Sequence, residues 1–91
     1  MIAPFQKTVA EVRTLVLDFG PKLATGEVLQ GVPSAMVDDP GLTISHMTLT
    51  ESTVVLKVGG GVPGTTYLVA AHANTTGGNE LEVHRYVEVV A

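Results

Sequence analysis

The stretch KVGGGVPGTTYLV, residues 57–69, decides between two folds. Gly59 and Gly64 stand at the Gly-x-x-x-x-Gly spacing of a phosphate-binding loop. Such a loop follows a strand, opens a helix, and ends in Lys and Ser or Thr, so that backbone N–H groups and the Lys converge on the phosphates. Here Gly64 is followed by Thr65 and Thr66, and the onward run TTYLVAA has the composition of a strand. With both the Lys and the helix N-terminus missing, the stretch reads as a turn between two strands. Its glycines are free to adopt positive φ, and Pro63 sets its own φ near about −65°. The nucleotide-binding α/β reading falls, and an all-β reading takes its place.

The rest of the chain agrees with strands. ELEVHRYVEVV, residues 80–90, alternates most clearly: Leu81, Val83, Val87 and Val89 point one way, and Glu80, Glu82, His84, Tyr86 and Glu88 the other. Arg85 breaks the apolar face, either beyond the sandwich edge or at a bulge. In RTLVLDF, residues 13–19, Leu15, Leu17 and Phe19 are expected to face inward. The preceding TVAEVRTL also admits a helical turn, since Val9, Val12 and Val16 recur at three and four. EVLQGV is followed by Pro33 and SAMV. A proline cannot donate to a central ladder, so this segment is an edge strand, a bulge or two short pieces. DDPG, residues 38–41, leads into LTISHMTLT, and STVVLKV follows to form a hairpin in which Val54, Leu56 and Val58 share a face. About seven short runs separated by Gly and Pro predict an immunoglobulin-like antiparallel β-sandwich. Residues 1–91 are expected to form one domain, with residues 1–12 as an extended N-terminal arm.

Composition narrows the function. Apolar residues make up 45% of the 91, aromatics 4% and charged residues 15%, so the core is built of aliphatic side chains and disorder is excluded. Five Lys and Arg against nine Asp and Glu leave no basic stripe for a phosphate backbone, so no nucleic-acid partner is expected. Without cysteine there is no disulfide, thiolate metal site or Cys nucleophile. A domain this small then relies on packing and on assembly. No stretch has the pattern of a secretion signal or a membrane span, so no membrane partner is expected and the product is expected to be cytosolic when made.

Candidate chemistry is sparse. His72 and His84 become neighbours across two strands if the last hairpin turns at Gly77 and Gly78, with Glu82 or Asn74 close by; two ligands make a weak metal site, and none is assigned. Asp38 and Asp39 precede Pro40 and Gly41 and read as turn chemistry. Ser34, Ser45 and Ser52 lie in no nucleophile elbow. No catalytic residue and no cofactor is expected. Asn74-Thr75-Thr76 matches a glycosylation acceptor, which has meaning only in a secreted eukaryotic chain. Tyr67, at the start of a strand after the Gly-rich turn, occupies the place of an immunoglobulin-type corner tyrosine or of an ordinary core tyrosine.

Five pieces together resemble a known family: LVLDFGPKL (residues 15–23), GEVLQ (26–30), GLTI (41–44), TVVLKVGGGVPGTTYLV (53–69) and TTGGNELEVHRYVEVV (75–90). They are similar to the small immunoglobulin-like virion proteins of tailed bacteriophages and prophages, the fiber-tail adaptors. The middle piece is the most specific, since a hydrophobic strand, a Gly-rich turn and GTTY occur in order. Phe19 and Met36 stand where Trp is common in the family, and the last strand is less basic. The resemblance implies a virion structural protein joining a fiber or appendage to the tail or head by contacts with other virion proteins, present as a homo-oligomer or in many copies. A capsid decoration protein and a freestanding adhesion or carbohydrate-binding module are the alternatives; the scarcity of aromatic rings counts against the last. The outer face of the final strand, Glu80, Glu82, His84, Tyr86 and Glu88, is the expected contact surface.

Overall fold

The computed structural model describes residues 5–91, which form seven strands and one 3-10 turn, Gly20–Lys22. The strands are β1 (Phe5–Thr8), β2 (Arg13–Asp18), β3 (Leu29–Val37), β4 (Leu42–Leu49), β5 (Thr53–Gly60), β6 (Thr66–Thr75) and β7 (Glu80–Val90). They make a four-stranded sheet in the order β1-β7-β6-β3 and a three-stranded sheet in the order β2-β5-β4. The second to seventh strands pair as in an immunoglobulin constant-type sandwich. Residues 1–4 of the expected arm lie outside the described residues. Residues 9–10 form a turn, so the helical alternative for residues 8–15 gives way to a strand that begins at Arg13.

One feature departs from an antiparallel sandwich: β1 runs parallel to β7, with Phe5 opposite Val87 and Thr8 opposite Val90. Parallel neighbours need a long connection between them. Here the other five strands supply it, because β1 and β7 lie at opposite ends of the chain. The remaining pairs, β2–β5, β3–β6, β4–β5 and β6–β7, are antiparallel.

Period-two alternation builds the core. Leu15, Leu17 and Phe19 from β2 and its end meet Val54, Leu56 and Val58 of β5; Tyr67, Val69 and Ala71 of β6 and Val87 and Val89 of β7 face them from the other sheet, all buried. Each such Val, Leu or Phe side chain contributes about 1.5–3 kcal/mol by leaving water. Arg85 keeps its place on the inward face but sends its guanidinium out at the side. Its Nη1 donates to the Val16 carbonyl at 2.8 Å, and its Cζ lies 5.5 Å from the centre of the Phe5 ring, with that of Arg13 at 5.0 Å. Two guanidiniums on one ring thus close the gap between β1 and β2.

The opposite side is closed differently. β3 is an edge strand, as Pro33 requires, and its register shifts between Gln30 and Ser34 around Gly31, at φ 81°. β4, the facing edge, shifts between Ser45 and Thr48, with His46 at φ 53°. Bulges and a proline interrupt the regular edge ladders along which another chain could add a strand. The sheet faces are left as the larger continuous surfaces.

Residues 61–65 turn the chain from one sheet to the other, with Gly60 at φ 71°, Gly61 at φ 96° and Gly64 at φ 85°. Tyr67 is a corner tyrosine: its buried hydroxyl accepts the Val62 N–H at 2.9 Å. Gly64 N–H donates to the Val89 carbonyl at 2.8 Å, and Val89 N–H to the Thr65 carbonyl at 3.0 Å, so the turn is stitched to β7. Lys7 lies buried beneath it, donating from Nζ to the carbonyls of Gly60 (2.5 Å) and Thr8 (2.6 Å). Burial pushes the Lys7 ammonium below the usual lysine range, and the nearby Glu11 carboxylate partly opposes this.

At the other end, Glu27 fastens the β6–β7 turn to the chain before β3. Its carboxylate accepts from the Thr75 hydroxyl (2.5 Å), the Asn79 amide (2.9 Å) and the Ala24 N–H (2.9 Å). The Thr75 bond foremost, then that from Ala24, holds this carboxyl below the ordinary glutamate value. A depressed folded value stabilises fully above the unfolded pKa of about 4.3 and loses that contribution as pH falls through the folded one. Glu27→Gln is therefore expected to lower the urea midpoint at pH 7, with the gap to the parent closing as pH falls through the depressed folded value and the parent carboxyl protonates. A gap that stays constant across that range would show that the charge is irrelevant.

Candidate docking face

On the four-stranded sheet, residues that alternate with the core project from the outer face. The β6–β7 register sets Leu68 opposite Tyr86, Ala70 opposite His84, His72 opposite Glu82 and Asn74 opposite Glu80. β3 continues the rows with Met36 beside Ala70 and Ser34 beside His72, and β1 adds Gln6 beside Glu88. The centre of this face is apolar. Met36 is 66% exposed and Tyr86 55%, values that place both side chains in solvent, over half-buried Leu68 and Ala70.

Polar groups surround that centre. Glu82 Oε1 accepts from Nε2 of both His72 and His84, each at 2.9 Å. These bonds, His84 first and then His72, hold the Glu82 carboxyl below the ordinary range. Glu88 Oε1 accepts from the Gln6 amide at 2.5 Å, and Asp38 Oδ1 from the Leu68 N–H at 3.0 Å. Among the described residues, no group of three or more His, Cys, Asp or Glu is arranged to hold a metal ion. The two histidines meet through a shared carboxylate, while His46 stands on β4 of the other sheet.

The hollows on this face are open. One of about 110 Å³ is lined by Val32, Ser34, His72, Ala73, Asn74 and Glu80, and one of about 230 Å³ by Ser34, Ala35, Met36, Ala70 and His72. A third, of about 530 Å³, runs along Glu80–His84 beside Lys22. Small-molecule sites enclose most of their ligand. These depressions suit a broad protein contact instead.

The five residues expected to form the contact surface, Glu80, Glu82, His84, Tyr86 and Glu88, all lie on this face. Met36, Leu68, Ala70 and His72 complete it and were not assigned to it from the sequence. The alternation of TTYLVAAHANT carries the signal, since Tyr67 fixes the inward set, but its alignment with β7 depends on the length of the turn at residues 76–79.

A family model described as Podophage GP4 fiber-tail adaptor protein gp77 matches residues 7–88, from within β1 to within β7. No curated protein sequence matches the chain. The resemblance seen in the Gly-rich corner and the strands around it thus extends over all seven strands. The chain belongs to the podophage fiber-tail adaptor family, whose members are phage structural proteins.

Proposed function

We propose that this protein joins a fiber to the tail of a podophage particle as a rigid binding module, through the outer face of its four-stranded sheet. The family match along residues 7–88 carries the reading. It favours a tail adaptor over a head decoration protein or an adhesion module. The face with Tyr86 at its centre and Glu80, Glu82, His84 and Glu88 around it offers the contact, because an exposed apolar centre with a polar surround is how protein interfaces are built. The chain acts as one domain in several copies per particle, is made in the host cytoplasm, and finds its partners during assembly. Repetition of one modest contact around a tail raises the overall hold without enlarging the contact itself.

Removing the gene tests this. Particles assembled without the protein are expected to carry tails but no fibers, and purified protein added back is expected to restore fiber attachment. Particles that keep their fibers, or that lose head stability instead, would overturn the reading.

A further inference from the structure

With histidine neutral, the docking face carries formal charge of one sign, negative, and His72 and His84 hydrogen-bond its Glu82. Of the five Lys and Arg of the chain, four lie elsewhere and the fifth, Lys22, stands at the margin of the face. Lys7 is buried under Gly60, Arg13 and Arg85 close the side of the sandwich around Phe5, and Lys57 reaches Thr14 on the other sheet. Lys22 belongs to the 3-10 turn and touches only the margin, beside Glu80 and Glu82. The face itself presents Glu80 and Glu82 at one end and Glu88 with Asp38 at the other, with Met36, Leu68, Ala70 and Tyr86 between. The Glu80 backbone pairs with Asn74 in the sheet, but its carboxylate makes no hydrogen bond or ion pair with another described residue and is free to meet a cation.

This layout argues against self-pairing. A two-fold interface sets a patch against its own copy. When two copies of this face pack with their strands aligned, in either direction, an acidic end meets an acidic end, and like charges in apposition oppose association. The complementary surface belongs to a different protein.

Building on the adaptor reading, we propose that the outer face of the four-stranded sheet docks onto another virion protein through an apolar surface flanked by Lys and Arg. Tyr86 and Met36 enter that surface as its anchors, the part aromatic and long apolar side chains play at interface centres. Glu80 and Glu88 pair with the flanking cations and set the orientation.

A photo-crosslinking residue placed at position 86, and separately at position 55 on the outer face of β5, locates the contact in assembled particles. Position 86 is expected to crosslink to a virion protein other than this chain, at a segment containing Lys or Arg; position 55 is not. In the companion experiment, Glu80→Lys with Glu88→Lys is expected to lower incorporation into particles by about tenfold or more, and Lys57→Glu by less than about twofold, as opposed charges on a docking rim and a remote charge predict. Crosslinks from position 86 to a second copy of this chain, crosslinks from position 55 with none from 86, or full incorporation of the double variant would each overturn the proposal while leaving the adaptor reading standing. Absence of the parent protein from purified particles would overturn the adaptor reading itself, and this proposal with it. Should the double variant fail to fold, the crosslinks at 86 and 55 decide alone.

Discussion

Gly61→Ala is expected to destabilise the domain by about 2–6 kcal/mol, the sum of a strained backbone and an overfilled core. Gly61 sits at φ 96°, a conformation that L side chains rarely adopt. A Cβ there would lie 2.5 Å from Val89 Cγ2 and 3.4 Å from both Leu42 Cδ1 and Tyr67 Cε2. None of these can withdraw, because Val89, Leu42 and Tyr67 are themselves buried. Gly64 supplies the comparison: its φ of 85° carries similar backbone strain, yet nothing lies within 4 Å of its added Cβ. Gly64→Ala is thus expected to cost only the backbone part, about 1–3 kcal/mol. Urea unfolding of the two variants separates the effects. Equal losses would mean that the clash with Val89 is absorbed.

Tyr67→Ala is expected to cost about 3–5 kcal/mol, as for other large rings removed from a core. Tyr67 is 1% exposed and packs between the sheets at the corner, so little can collapse into the space it leaves. Tyr67→Phe isolates the hydroxyl. It keeps the ring but strips the Val62 N–H of its acceptor, at an expected cost of about 1–3 kcal/mol. The hydroxyl also lies 2.9 Å from where a Cβ on Gly41 would stand, so the β3–β4 turn comes close to the same group. If Phe proved neutral, Tyr67 would be a core filler and no corner device.

The strands were legible because each buries one face, which stamps a period of two on the sequence. Leu15, Leu17 and Phe19, the β4–β5 hairpin and the alternation of β7 all follow from that rule. Pro33 marked its own edge by lacking an N–H. What stayed hidden depends on contacts between distant segments. The parallel pairing of β1 with β7 leaves no local mark, because four residues at one end of the chain meet the other end. Lys7 reads as an ordinary exposed lysine until Gly60 is brought over it. Arg85 broke the apolar pattern visibly, but only the approach of Phe5 and Val16 explains how its charge leaves the core. On the docking face, the β7 residues could be named from one strand, whereas Met36, Leu68, Ala70 and His72 needed the register of three.

An image reconstruction of the assembled particle at the junction of tail and fiber would bear on the whole reading at once. Density for the four-plus-three-stranded sandwich is expected between tail and fiber, with Met36 and Tyr86 turned into a neighbouring protein and the β2-β5-β4 face turned away. A junction without that density, or the sandwich found on the head, would contradict it.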